Sequence, residues 1–132
     1  MASTFTFELV TPERLLLSAP AEQVVLPGSE GDFAVLAGHA PVISTLRPGV
    51  IEITLPQGRQ RIFVKKGVAE ADPERLTVLA QTAVAVDDLD AERLSTEQKA
   101  AEAELAAAKD DQSKRMAEML VDVLKRLQAK TA

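Results

Sequence analysis

The sequence predicts an α+β fold in which an N-terminal antiparallel β-sandwich is followed by a C-terminal two-helix antiparallel hairpin. Glycine and proline occur only up to Pro73, and all four phenylalanines precede Val64. Residues 88–132 contain no glycine, proline or aromatic residue but ten alanines. Such a change in composition marks a boundary between two kinds of structure. We therefore expect a β-sandwich domain over residues 1–87 and a helical hairpin over residues 88–132.

Short segments with alternating apolar and polar residues predict the sandwich. The segments "TFTFELV" and "VIEITL" alternate with the period of two that is typical of a half-buried strand. Pro56 and Gly58 then mark a tight turn into the strand "RQRIFVKKG". Further predicted strands are "EQVVLP", "PVISTL", "GVAEA" and "RLTVLAQTAVAV", of which the last two are joined by a turn at Asp72-Pro73-Glu74. This close spacing favours antiparallel pairing, because parallel strands need long crossover connections.

Strong helix formers predict two helices in the second part. The first runs from Ala91 to about Lys109 with Asp90 as its N-cap, and Asp111 or Ser113 caps the second. The second helix carries an apolar stripe at helical spacing, formed by Met116, Met119, Leu120, Val123, Leu124 and Leu127. The apolar side of the first helix is mostly small residues, so the hairpin should be only marginally stable by itself.

The two predicted helices differ in net charge. Residues 88–111 hold three Lys or Arg against eight Asp or Glu, a net charge of −5, whereas residues 112–132 hold five against two, a net charge of +3. The basic second helix can therefore attract the first helix or an acidic partner.

Composition excludes several classes of function. Aromatic residues make up 3% of the chain and the net charge is −5, so nucleic acid is not an expected partner. The absence of cysteine excludes disulfides and thiolate metal sites, and the single histidine leaves no pair for a typical zinc site. Neither a signal peptide nor a membrane span is expected, so membrane contact should occur only through a complex.

The glycine-rich segment over residues 26–53 allows several interpretations. Gly28 and Gly31 resemble a phosphate loop, but Glu30 and Asp32 would repel phosphate and no Lys-Ser/Thr pair follows. His39 could act as a general base, yet no nucleophile elbow accompanies it. Turns of a sheet with an exposed acidic tip are the simpler interpretation, and a small β-sandwich binding module or enzyme using the His39 turn is the alternative.

The segment "PGSEGDFAVLAGHAPVISTLRPGVIEI" resembles the glycine-rich run of one family, the ε subunits of the bacterial ATP synthase catalytic sector. The segment "RLTVLAQTAVAVDDLDAERL" is similar to that family's junction between strand and helix. The resemblance covers nearly the whole chain and is most specific over residues 1–90. It implies a β-sandwich followed by a helical hairpin.

The resemblance also implies a role and its partners. A member of this family is a non-catalytic rotor subunit that binds the γ subunit and the c-ring and couples proton-driven rotation to ATP synthesis. It would lie peripherally at the cytoplasmic face of the bacterial inner membrane. The resemblance implies contact with the c-ring through Glu30, Gly31, Asp32 and His39. In many relatives the hairpin also inhibits ATP hydrolysis through the α and β subunits, and the candidate contacts here are Lys114, Arg115, Lys125, Arg126 and Lys130.

No cofactor or metal is expected, and ATP enters only as a regulatory ligand of some relatives. The motif of those relatives places Asp90 and Arg93 as candidate ATP-binding residues. Leu94 stands where the motif has alanine, which adds bulk at a site that must admit a nucleotide.

Overall fold

The computed structural model describes residues 3–131, with side chains described up to residue 129. The chain divides into two compact units between Ala85 and Val86. Within the described range the first unit consists of β-strands, and the second holds a short 3-10 turn and two α-helices. The predicted fold class, a β-sandwich followed by a two-helix hairpin, is confirmed.

The first unit contains ten strands within the described range. In chain order they are β1 (Phe5–Val10), β2 (Leu15–Ala21), β3 (Gln23–Gly28), β4 (Gly31–Leu36), β5 (Val42–Leu46), β6 (Gly49–Leu55), β7 (Gly58–Val64), β8 (Gly67–Ala71), β9 (Arg75–Ala80) and β10 (Ala83–Ala85). The second unit has a 3-10 turn over Val86–Asp88, followed by α1 (Ala91–Ala107) and α2 (Asp111–Thr131).

The strands form two layers that meet at β3. One layer has the order β4-β3-β6-β7-β10, and the other has the order β5-β8-β9-β1-β2. Strand β3 pairs with β6 through residues 23–25 and with β5 only at Gly28 opposite Leu46. The layers are therefore joined at one end of β3, close to the turn between β3 and β4.

The inward positions of both layers form one aliphatic core. Alternate residues of β1 point inward, and Phe5, Phe7 and Leu9 are all buried. Their partners in the core include Val24, Leu26, Ile51, Ile53, Leu76 and Val78. Burial of this apolar area is the main term that stabilises the sandwich.

Two strands were missed by the sequence analysis. Strand β2 begins with three consecutive leucines and contains Pro20, so it shows neither clean alternation nor the composition of a central strand. Strand β4 starts at Gly31 in the glycine-rich segment that was interpreted as turns. Both strands lie at an edge of their layer, where departures from the ideal pattern are tolerated.

The expectation of antiparallel pairing holds for every described pair except one. Strands β1 and β9 are parallel, with Phe7 opposite Leu76 and Leu9 opposite Val78. The long stretch of chain between them makes this arrangement accessible, because the seven intervening strands form the crossover.

Two predicted turns have the expected chemistry. Pro56 and Gln57 connect β6 to β7 in a two-residue hairpin, with Leu55 opposite Gly58. In the turn between β8 and β9, the Asp72 carboxylate accepts hydrogen bonds from the backbone N–H groups of Glu74 and Arg75. Asp72 thereby satisfies two backbone donors that the strand ladders leave unpaired.

The helical unit begins with the predicted cap and then departs from the prediction. Asp90 caps α1, and its Oδ1 accepts from the backbone N–H of Arg93 at 2.8 Å. The cap of α2 is Asp110, not Asp111 or Ser113, because its Oδ1 accepts from the N–H of Ser113 at 2.7 Å. In the run "KDDQS" two adjacent aspartates have the same capping chemistry, so sequence alone does not separate them.

The apolar stripe of α2 is confirmed in part. Leu120, Leu124 and Leu127 are buried, whereas Met116, Met119 and Val123 are only half-buried. Ala117 and Val121 are also buried, so the buried face is rotated toward these two small residues. Helices α1 and α2 pack against each other.

Candidate docking surfaces

The acidic turn, which we define as residues 28–32, is a tight and well-held hairpin loop. Ser29 and Glu30 form its two-residue tip, with Gly28 opposite Gly31 in the ladder. A side chain at Gly28 would place its Cβ only 2.6 Å from the carbonyl oxygen of Gly31 and 2.9 Å from the Phe33 ring. Gly28 is therefore required by close approach and not by a phosphate ligand.

Charges at this turn are partly neutralised within the chain. The Arg47 guanidinium donates to Oδ1 of Asp32 at 2.5 Å, and the two side chains are 29% and 64% exposed. Glu30 is exposed at the tip and has no ion pair with any residue in the described range. The predicted contact residues Glu30, Gly31 and Asp32 are consecutive in the chain and all are exposed.

His39 lies at the other end of β4 from the acidic turn. Strand β4 spans six residues, so its ends are about 17 Å apart. Leu36, Ala37, Gly38 and His39 form a turn in which the N–H of His39 donates to the carbonyl oxygen of Leu36, and Gly38 adopts a φ of 79° that favours glycine. The four predicted contact residues therefore do not form one cluster. Gly31 and Asp32 begin β4, and Glu30 and His39 lie beyond its two ends; the only described partner of this edge strand is β3.

The surroundings of His39 give it no catalytic partner in the described part of the chain. Its Nδ1 lies 2.6 Å from the carbonyl oxygen of Ala40, a contact in which the nitrogen donates when it carries the proton. The nearby hydroxyl of Ser44 donates instead to the backbone carbonyl of Thr45. A base paired with a nucleophile, as covalent catalysis requires, is not formed here.

A row of apolar side chains crosses the outer face of the second layer. Val68 pairs with Leu79, Leu79 with Val10, and Val10 with Leu15, so the four residues lie side by side on β8, β9, β1 and β2. Leu15 and Leu79 are each 53% exposed, Val68 is 37% exposed and Val10 is partly exposed. We call these four residues the apolar row.

The neighbouring row on the same face is mainly polar. Across β8, β9, β1 and β2 it contains Glu70, Thr77, Glu8 and Ser18. Glu8 forms an ion pair with Arg75 at 2.8 Å. The apolar row therefore lies beside a mainly polar row, which ends on β5 at the exposed Ile43 opposite Glu70.

The exposed face of α2 carries two basic pairs separated by two acids. Lys114 and Arg115 lie at its first turn, and Lys125 and Arg126 lie eleven residues further along, or about 17 Å. Glu118 and Asp122 lie between them, and Asp122 forms an ion pair with Arg126 at 2.5 Å. The fifth predicted contact, the Lys130 side chain, lies outside the described residues.

The predicted ATP-binding pair lies at the start of α1. Asp90 uses Oδ1 to cap the helix through the N–H of Arg93, and the Arg93 side chain is exposed. Leu94, which stands where the motif has alanine, is 1% exposed. Its side chain fills the position that the smaller residue would leave open.

Two further properties concern metals and membranes. Within residues 3–131, no group of three or more His, Asp or Glu side chains could hold a metal ion. Neither α1 nor α2 is sufficiently long and apolar over the described residues to cross a membrane.

Comparison with known proteins gives the family. The family model described as ATP synthase, Delta/Epsilon chain, beta-sandwich domain matches residues 4–86. The ATP synthase epsilon chain of Parvibaculum lavamentivorans is 51% identical over 128 residues, which cover 96% of this chain and 97% of that protein. The ATP synthase epsilon chain of Mesorhizobium japonicum is 45% identical and covers 97% and 96%. This chain belongs to the ATP synthase epsilon chain family.

Solved structures share the fold of this epsilon chain family member. A chain in the cryo-EM structure of the Euglena gracilis mitochondrial ATP synthase, OSCP/F1/c-ring in rotational state 1, matches with a TM-score of 0.76 and 21% identity, covering all of this chain and 84% of that one. A chain in the Tetrahymena thermophila mitochondrial ATP synthase structure of the central stalk and c-ring matches with a TM-score of 0.71 and 10% identity, covering 96% and 98%. At these identities the likeness shows a shared fold.

Two features of these surfaces were not found from the sequence of this epsilon chain. The apolar row was missed although a signal existed, because Leu79 is apolar at an outward position between the inward residues Val78 and Ala80. The role of Arg47 at the acidic turn was also missed, and no local pattern in the sequence indicates it. Its pairing with Asp32 depends on the register between β3 and β5.

Proposed function

We propose that this chain is a non-catalytic rotor subunit that docks on the γ subunit and the c-ring of an F-type ATP synthase and couples ring rotation to ATP synthesis. The observation that carries this proposal is the apolar row, an exposed apolar strip across four strands. The family and the c-ring complexes that contain proteins of the same fold support it. The chain would then lie peripherally at the cytoplasmic face of the bacterial inner membrane.

The apolar row suits a helical partner such as the γ subunit. Its four side chains are aligned across the strands, so they form a ridge along which a helix can lie. Half-exposed leucines lose this remaining exposure only when a partner covers them, which makes docking favourable. A face that serves torque transmission needs such contacts and no reacting group.

The edge strand β4 suits the c-ring. The acidic turn at one end and the turn that carries His39 at the other provide polar contacts on both sides of a strand that is about 17 Å long. The outward side chains of β4, Asp32, Ala34 and Leu36, are exposed between them. We propose this edge as the surface that meets the polar loops of the ring.

Complex formation tests the proposal. The full chain should co-elute with the γ subunit and, through the resulting complex, with the c-ring, and the isolated chain should have no turnover. A catalytic activity of the purified chain that is lost in His39→Ala would support instead the alternative, a small β-sandwich binding module or enzyme that uses the His39 turn.

We also propose that the hairpin restrains ATP hydrolysis through contacts of α2 with the α and β subunits. The exposed pairs Lys114 and Arg115 and Lys125 and Arg126 are the contacts, with Lys130 as a further candidate. The catalytic sector should hydrolyse ATP faster with residues 1–87 than with the full chain. Equal rates would exclude inhibition. A full chain with Lys114→Gln and Arg115→Gln should raise the rate without removing the hairpin.

Regulatory ATP binding at Asp90 and Arg93 is the remaining proposal from the family motif. Two features oppose it: Asp90 is occupied as a helix cap, and Leu94 is buried where the motif has a small residue. Titration calorimetry of the full chain with ATP tests it. Heat of binding that disappears in Arg93→Gln would support the site, and the absence of heat would remove it.

A further inference from the structure

Arg47 joins the two sides of the acidic turn. Its Nη1 donates to the carbonyl oxygen of Gly28 at 2.5 Å, and its Nη2 donates to Oδ1 of Asp32 at 2.5 Å. Gly28 precedes the two-residue tip and Asp32 follows it by one residue, so one guanidinium spans the base of the turn. The planar fork of arginine makes both bonds at once, which a lysine ammonium does not reproduce.

The segment that carries Arg47 is itself fixed. The backbone N–H of Arg47 donates to the carbonyl oxygen of Pro27 at 2.9 Å, and Leu46 is buried opposite Gly28. A Cβ at Gly49 would lie 2.8 Å from the Cβ of Pro27, so the chain packs closely on β3 there. Arg47 therefore reaches the turn from a rigid base.

The tip has a second, independent connection to β5. The hydroxyl of Thr45 donates to the hydroxyl oxygen of Ser29 at 2.8 Å, and the N–H of Ser29 donates to the carbonyl oxygen of Thr45 at 2.9 Å. The turn is thus held from one side by Thr45 and across its base by Arg47. Such a turn is ordered before any partner binds, which lowers the entropic cost of docking.

The two carboxylates of the turn have different roles in this arrangement. Asp32 is paired with Arg47, whereas Glu30 has no ionic partner in the described part of the chain. The three side chains together carry a net charge of about −1 at neutral pH, located at the tip. We infer that Arg47 is the positioning residue of the turn, that Asp32 anchors Arg47, and that Glu30 is the charge presented to the docking partner.

This inference rests on the proposed docking of the turn on the c-ring, and it goes further by separating charge from position. A charge at the rim of an interface acts mainly through association rate and salt dependence. A positioning contact acts through the order of the bound segment, so its loss weakens binding at every ionic strength. The two roles therefore predict different salt responses.

The experiment measures binding of the complex between the full chain and the γ subunit to purified c-ring at low and at high ionic strength. Glu30→Gln removes only the presented charge. The double variant Asp32→Asn with Arg47→Met removes the internal pair without changing the net charge of the turn. The control is Glu8→Gln with Arg75→Met, which removes an ion pair of the second layer with the same balance of charge. Circular dichroism confirms that each variant is folded.

Glu30→Gln should weaken binding at low ionic strength and lose most of the salt dependence. The Asp32/Arg47 double variant should weaken binding roughly threefold to tenfold at both ionic strengths and keep the salt dependence of the original chain, because it presents the same charge on a less ordered turn. The affinity of Arg47→Lys for the ring should lie between those of the original chain and the double variant, because lysine retains the charge but not the planar fork of arginine. The control should bind as the original chain does.

Three results overturn different parts of the account. If the original chain binds the ring and Glu30→Gln weakens binding but the double variant binds normally, the positioning role of Arg47 is refuted and the proposed function stands. If the complex with the original chain does not bind the ring, or if neither Glu30→Gln nor the double variant changes binding, docking of this turn on the ring is itself refuted. If Glu30→Gln alone has no effect, Glu30 is not the charge presented to the ring.

Discussion

Replacement of Leu79 by glutamate should separate docking from folding. Leu79 lies in the middle of the apolar row and retains 53% of its exposure. Full burial of a leucine side chain is worth roughly 1.5–3 kcal/mol, so the part still exposed offers about 1 kcal/mol to a partner that covers it. Leu79→Ala should therefore weaken binding to the γ subunit about fivefold. Leu79→Glu adds the cost of desolvating a charge, which should make the loss at least about a hundredfold.

The assay is titration of the full chain with the γ subunit, with Leu36→Glu as a matched control. Leu36 is 50% exposed, so its replacement has a similar effect on the folded chain, but it lies on β4 and not in the apolar row. The thermal midpoints of the two variants should be similar. Equal affinities of Leu79→Glu and Leu36→Glu for the γ subunit would refute the assignment of the apolar row to that partner.

Three further predictions concern the helical unit. Asp90→Ala should destabilise α1 by about 1 kcal/mol, seen as faster amide exchange in its first turn, whereas Asp90→Ser should keep the cap and the exchange rates. The backbone N–H of Ser113, and next its hydroxyl, lower the pKa of Asp110 below 3.8. The ionised Asp110 cap therefore stabilises α2 above pH 3.8, and this stabilisation is lost as the pH falls through the lowered pKa. The helix content of Asp110→Asn at acidic pH should depend less on pH than that of the original chain. An unchanged pH profile would contradict this. Leu124 is 0% exposed, so Leu124→Ala should leave a cavity and destabilise the helical unit by roughly 2–5 kcal/mol in denaturant melts. Lys125 is exposed, so Lys125→Ala should change stability little. Equal effects of the two substitutions would argue against a packed hairpin.

The sequence predicts most of the architecture because periodicity is a local signal. The alternation of Phe5, Phe7 and Leu9 identifies β1 and its buried face without any knowledge of its neighbours. The same reasoning fails for β2, where Leu15, Leu16 and Leu17 remove the alternation. The cap of α2 is displaced by one residue because adjacent aspartates offer the same chemistry.

The candidate surfaces depend on contacts that are distant in the chain, and these were less accessible from the sequence. The acidic residues Glu30 and Asp32 could be named from their turn, but the pairing of Asp32 with Arg47 joins positions fifteen residues apart through the register of β3 and β5. The apolar row exists only because the parallel pairing of β1 with β9 sets Val10 beside Leu79. Pairing between strands is a tertiary property, and no local pattern encodes it.

ATP-driven proton pumping shows whether the chain couples rotation of the ring to the catalytic sector. Membrane vesicles that carry an ATP synthase lacking its epsilon chain would be supplied with the full chain or with Leu79→Glu. The rotor proposal predicts that the original chain restores pumping per ATP hydrolysed and that Leu79→Glu restores far less at the same concentration. Pumping that does not depend on the added chain, or that Leu79→Glu restores as well as the original chain does, would contradict it.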